Sequence, residues 1–224
     1  MAAYYIADLR LVQPHGPYCL GGYCFGGDVA YEIARQLNER HESVAVLALL
    51  NSTPPHSRYA RIPWTPLWAA KFVRNLGYWA NYVAHMDAAH RRDFFKWKWK
   101  LIMKQLSPST YPTGEANRRN VTDLVDLSQF TAEERALWEA HLRALFQFRP
   151  QPYSGHVHLF RSNGHPLWSS LDSDYGWGEL ATGGVTTTIV PGAHEQIMEE
   201  PFVEVLAARL ANVLNEILLP APAS

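Results

Sequence analysis

The pentapeptide Gly22-Tyr23-Cys24-Phe25-Gly26 has the spacing of a nucleophile elbow, G-x-S-x-G, with cysteine in the serine position. A thiol placed there points to acyl transfer through a covalent intermediate. An elbow holds its nucleophile on a strained strand-to-helix turn, where side chains two positions away on either side would meet neighbouring backbone. Gly22, Gly26 and Gly27 are read as leaving that room. Upstream, Gly16–Leu20 reads as a short buried strand. Downstream, Asp28–Arg40 carries apolar residues at helical spacing through Val29, Ile33, Ala34 and Leu37. The motif therefore has the strand-turn-helix surroundings it requires.

Two further side chains fall where an elbow could use them. Val44–Leu50 is a near-continuous apolar run, as expected of a parallel strand covered on both faces, and it ends at Asn51. Residues just past the C-terminal end of such a strand are the usual carriers of function in α/β enzymes. Val185–Val190 reads as another strand, followed at once by Pro191-Gly192-Ala193-His194, so His194 lies on a post-strand loop from which a general base could reach the elbow. Nucleophile, orienting group and histidine occur in the chain order of α/β-hydrolases.

With these pieces assembled, the chain resembles the thioesterase domain that ends nonribosomal peptide and polyketide assembly lines. The matching stretches are Gln13–Tyr18, Gly22–Gly27, Ala30–Ala34, Leu49–Pro55, Tyr153–Arg161, Asp174–Trp177 and Pro191–His194, in the family's order. The resemblance implies an α/β-hydrolase fold, a mostly parallel sheet with an inserted helical lid. It also implies a substrate delivered on the phosphopantetheine arm of an acyl or peptidyl carrier protein, and no bound cofactor or metal. Two positions depart from the family: the nucleophile is Cys24 where serine is usual, and the orienting acid is Asn51 where aspartate is usual. Family members also begin with strands and helices ahead of the segment resembling Met1–Val12, and one of those early loops donates the second oxyanion-hole amide. The expected sheet therefore lacks its N-terminal strands in this chain, leaving the backbone N–H of Phe25 as the assignable oxyanion donor.

The two departures compensate each other chemically. A thiol is more nucleophilic and easier to ionise than a hydroxyl, so it depends less on a carboxylate-oriented histidine. Asparagine can then fix the imidazole tautomer, as in Cys-His-Asn proteases. Cys24 would take the acyl group, His194 would act as general base, and the side-chain oxygen of Asn51 would accept the imidazole N–H. The acyl-enzyme would be a thioester, which keeps its activation, and cysteine variants of the family are associated with strained rings of the β-lactam or β-lactone type. Intramolecular cyclisation is therefore the expected outcome, with hydrolytic or editing release of a free acid as the alternative. A non-catalytic carrier-binding module is the reading from a different class. Asp172 and Asp174 stay open as rival acids to Asn51.

The remaining sequence sets the surroundings. From about 63 to 152 strand-helix alternation gives way to an inserted helical unit, the expected lid. It holds Trp64, Trp68, Trp79, Trp97, Trp99 and Trp138, some of them expected to line an acyl pocket. A capping box of Thr131 with Glu134 opens a helix over Thr131–Phe148. Arg91, Arg92, Lys96, Lys98, Lys100 and Lys104 form its densest basic stretch, read either as a solvated helix face or as a dock for an acidic carrier. A formal net charge of -1 over 224 residues argues against nucleic acid or an anionic membrane as a bulk partner. Met1–Arg10 reads as an amphipathic helix and not a secretory signal, which implies a cytoplasmic location. Cys19 is read as core, and 219–224 as a flexible tail.

Overall fold

The computed structural model describes residues 1–55, 65–85, 91–92, 95–96, 99, 131–164, 172–194 and 196–219. They divide between two compact units, 1–85 with 149–224 and 86–148.

The first unit is built on a four-stranded sheet in the order β1-β2-β3-β4, with β1 Tyr18–Tyr23, β2 Val44–Leu50, β3 Val157–Ser162 and β4 Val185–Val190. All three pairings are parallel. The continuous apolar run of β2 now has its reason, since both faces of the strand are covered. On one face Leu47 and Leu49 pack with Leu159 against Ala30, Tyr31 and Ala34 of α2, Phe25–Glu39. On the other, Val46 and Ala48 pack with Phe160 and Val190 against Leu206 of the C-terminal helix. Helix α1, Ala2–Val12, lies against α2 through Ala2, Ile6, Ile33 and Leu37.

Several expectations shift. β1 begins at Tyr18 and runs to the elbow, and its residues alternate because Tyr18 and Leu20 turn to the face packed by α1 and α2: Tyr18 is buried, and Cys19, expected in the core, is exposed. The segment expected as a single insertion over 63–152 also divides. Helix α3, Pro66–His85, belongs to the sheet-bearing unit, and the second compact unit begins at Met86. The attachment of α3 is polar and aromatic: Lys71 is ion-paired to Asp172, Asn81 Nδ2 donates to Asn163 Oδ1 at 2.7 Å, and the Tyr78 ring lies 5.0 Å from the Arg161 guanidinium.

Within the second unit, α4 spans Ala132–Gln147. Both halves of its capping box are present: Glu134 N–H donates to Thr131 Oγ1 at 3.3 Å, and Thr131 N–H donates to Glu134 Oε2 at 2.9 Å. Helix α5, Phe202–Leu218, closes the chain's described secondary structure. Trp64, Trp97, Lys98, Lys100, Lys104 and the tail from 220 lie outside the described residues. No described helix is long and apolar enough to cross a membrane.

Candidate active site

Parallel strands deliver their C-terminal ends to one edge of the sheet, and the chemistry-bearing residues gather there. Cys24 follows β1, Asn51 follows β2, Ser162 ends β3, and His194 lies on the loop after β4. The Cys24 backbone has φ 51° and ψ -119°, outside the ordinary regions for a residue with a β-carbon, at a cost of about 1–3 kcal/mol. Its N–H donates to the Leu50 carbonyl at 2.9 Å, tying the elbow to the residue that precedes Asn51. The Cys24 side chain is exposed.

The elbow glycines are not equivalent. A methyl at Gly22 would run into the backbone of Gly26 and Gly27, and one at Gly27 into Ser52. Around Gly26 there is nothing within 4 Å of where a β-carbon would sit, so the expectation that Gly26 relieves a collision is corrected. The steric demand falls on Gly22 and on Gly27, where α2 approaches the end of β2. Phe25 opens α2, which places its amide in the helix's first turn.

Strain in the described backbone concentrates at this edge. The non-glycine residues with positive φ are Cys24, His41, Asn51 and Tyr175. His41 belongs to the turn after α2, whereas Asn51 and Tyr175 are hydrogen-bonded to each other and Cys24 is bonded through its N–H to the Leu50 carbonyl beside Asn51. Asn51, 4% exposed, sits at the centre of a hydrogen-bonded cluster. Its Nδ2 lies 2.8 Å from Nδ1 of His194 and donates to Ser162 Oγ at 3.0 Å. Its Oδ1 accepts from the Ser162 backbone N–H at 3.1 Å and from Tyr175 Oη at 3.2 Å. Ser162 Oγ in turn donates to the Gly164 carbonyl at 2.6 Å.

This arrangement corrects the expected polarity of the Asn51 contact, in which the side-chain oxygen accepted the imidazole N–H. The backbone N–H of Ser162 can only donate, so the oxygen must face it and the NH2 must face the ring. Rotating the amide would set two donors against each other where Ser162 is fully buried. An unsatisfied buried donor costs about 1–3 kcal/mol.

His194 is fixed from a second side. The ring of Tyr23 stacks on its imidazole with centroids 5.2 Å apart, and Tyr23 Oη donates to the His194 carbonyl at 2.7 Å. The rival acids are engaged elsewhere. Asp174 accepts from the amides of Gly176 at 2.9 Å and Gly178 at 3.0 Å, capping the short 3-10 turn at Trp177–Glu179, and Asp172 is paired with Lys71.

Sequence reasoning missed Tyr23, Ser162, Tyr175 and Arg161. Arg161, 2% exposed, donates through Nη1 to the carbonyls of Asp172 and Ser173, and its guanidinium lies 4.3 Å from the Tyr175 ring. It thus holds the loop that brings Tyr175 to Asn51. Burial pushes the Tyr175 phenol up, which keeps the hydroxyl protonated as a donor. Ser162 carried no sequence signal beyond its place at a strand end. Tyr175 at least lies within one of the family stretches.

Comparison with known proteins agrees with this architecture. Residues 1–94 match the thioesterase domain family. An atromentin synthetase of Paxillus involutus is 28% identical over 217 residues, covering 89% of this chain and 20% of that protein, so the chain spans about a fifth of this relative's length. A NocB thioesterase domain, solved in covalent complex with a fluorophosphonate nocardicin G analogue, superposes with a TM-score of 0.55 at 23% identity, over 96% of this chain and 73% of that one. Human thioesterase 2 superposes with a TM-score of 0.55 at 12% identity, over 99% and 83% of the two chains. The N-terminal segment of this chain is thus similar to the thioesterase domain family, and the parallel sheet with its elbow after β1 shares the α/β-hydrolase fold of these solved thioesterases.

Proposed function

We propose that this chain releases an acyl or peptidyl group from the phosphopantetheine arm of a carrier protein. Cys24 is the nucleophile, His194 its imidazole partner, Asn51 the residue that orients the imidazole, and the Phe25 amide an oxyanion donor. The favoured outcome is intramolecular cyclisation to a small strained ring, with hydrolysis to a free acid as the competing outcome. The observation that carries the reading is the 2.8 Å contact between Asn51 and His194, beside a cysteine held at φ 51°. A strained elbow and a buried orienting group are costly features that nothing in the packing of the sheet requires.

The thiol matters for the outcome. Transfer from one thioester to another is close to thermoneutral, so the acyl group on Cys24 retains its activation for a difficult acceptor. An ester on serine would have lost part of it.

Intact-protein mass spectrometry after incubation with an acyl thioester of N-acetylcysteamine tests the assignment. The expected result is one acyl adduct, present in Cys19→Ala and absent in Cys24→Ala. Cys24→Ser should acylate far more slowly than the wild type, because a hydroxyl is harder to ionise than a thiol, and any ester it forms should cyclise poorly. An adduct persisting in Cys24→Ala would remove the nucleophile assignment.

A further inference from the structure

Of the groups at this edge of the sheet, Asn51 is the one whose hydrogen bonds determine a protonation state. Its oxygen is committed to the Ser162 backbone N–H and the Tyr175 hydroxyl, and one hydrogen of its NH2 to Ser162 Oγ. Ser162 Oγ can accept that hydrogen because its own goes to the Gly164 carbonyl. These bonds are mutually consistent, and the remaining N–H of Asn51 points at Nδ1 of His194. A ring nitrogen that accepts a hydrogen bond carries no proton. The neutral imidazole must therefore carry its proton on Nε2. Aspartate at the same position would accept from Ser162 and from an Nδ1–H together, leaving Nε2 with a lone pair, so the exchange of aspartate for asparagine inverts the tautomer.

We propose that Asn51 holds His194 in the Nε2–H tautomer, and that the Cys24 acyl-enzyme is accordingly discharged by an amine or thiolate acceptor in preference to water. This deepens the functional reading above and rests on Cys24 being the nucleophile.

The bookkeeping of each step decides the preference. In acylation the exposed Cys24 thiol ionises to solvent, its sulfur forms a bond to the carbonyl carbon, and the carrier sulfur departs as a thiolate. No proton is taken by the histidine. An amine attacks with its own lone pair: a C–N bond forms, the C–S bond breaks, and the ammonium proton passes to the departing Cys24 thiolate. A thiolate acceptor repeats the acylation step. Water differs, because an O–H proton must leave as the C–O bond forms, and the imidazole lone pair that would take it is on Nδ1, against Asn51. A hydroxyl acceptor meets the same obstacle. Of the two strained rings considered, the arrangement favours the lactam over the lactone.

Two measurements on the full chain test this. Nitrogen-15 NMR of the histidine-labelled wild-type protein should show His194 with a pyridine-type Nδ1 and a pyrrole-type Nε2, and it needs no variant. Octanoyl N-acetylcysteamine thioester with glycinamide as acceptor should give mainly amide from the wild type. Asn51→Asp, which still accepts from the Ser162 N–H and Tyr175 and can accept from the Ser162 hydroxyl once that turns away from the Gly164 carbonyl, should move the His194 proton to Nδ1 and raise the hydrolytic share by about 10²-fold, the size of a general-base contribution. A wild-type His194 protonated at Nδ1, or a partition unchanged in Asn51→Asp, overturns the proposal while leaving Cys24 as nucleophile. Absence of any adduct on Cys24 removes the triad reading and the acceptor preference with it.

Discussion

A single atom exchange separates the side chain of Asn51 from the aspartate usual in the resembled family, and its consequence depends on residues far away in the chain. Ser162 and Tyr175 lie 111 and 124 positions from Asn51, yet they decide which atom of the amide turns toward His194. The residue types and chain order of Cys24, Asn51 and His194 are legible in the sequence because each follows a recognisable strand. The polarity of the Asn51 contact is not, since an amide offers a donor and an acceptor of the same size and only its neighbours choose between them. Gly22 and Gly26 make the same point sterically: the motif spacing marks both, and only the path of α2 distinguishes them. Gly22→Ala should abolish soluble folded protein or lower its melting temperature sharply, because the added methyl meets backbone of α2's first turn. Gly26→Ala should be tolerated and stabilise by up to about 1 kcal/mol, as helical alanine exceeds glycine. Thermal unfolding of the two variants side by side decides between a steric demand at one glycine and at both.

At the level of elements, periodicity located β2 and β4 with their bounds and the helix after the elbow to within three residues at its start. It placed β1 two residues early because the strand's burial alternates and it offers no continuous apolar run to read. Helix α2 also carries a feature that its periodicity concealed. Asp28, in the helix's first turn, is 4% exposed, and its Oδ1 is buried without a hydrogen-bond partner among the described residues. Burial pushes its carboxyl up to about 8 from an ordinary 3.8. The unfolded chain gives up this proton near pH 4, whereas the folded chain keeps it until about pH 8. Through that window the unfolded state binds fewer protons, so the contribution of Asp28 to stability falls as pH rises, by at most about 1.4 kcal/mol per pH unit. Above about pH 8 both states are ionised and the dependence flattens. Asp28→Asn should remove this slope and raise stability at pH 8 relative to wild type, with little change at pH 4. Denaturant midpoints measured across that range would show it, and parallel curves for the two proteins would dismiss a buried neutral carboxyl.

Across the whole molecule the formal charge nearly cancels, at -1, so attraction to a carrier protein has to come from local clustering and not from net charge. The densest cluster begins at Arg91, and within it Arg91, Arg92 and Lys96 are exposed. If this stretch meets an acidic carrier, its contribution is to encounter rate, and that contribution fades once the salt-dependent screening length falls to about 10 Å at 0.1 M. Reversing the three charges to glutamate should therefore lower kcat/KM for an acyl group presented on a carrier protein by about 10-fold at low ionic strength. The difference should shrink steadily as salt is added. The same variant should handle the N-acetylcysteamine thioester as the wild type does, because that donor has no protein surface to dock. Equal loss on both donors would instead point to damage to the second compact unit itself, and no loss on either would make the basic stretch a solvated helix face.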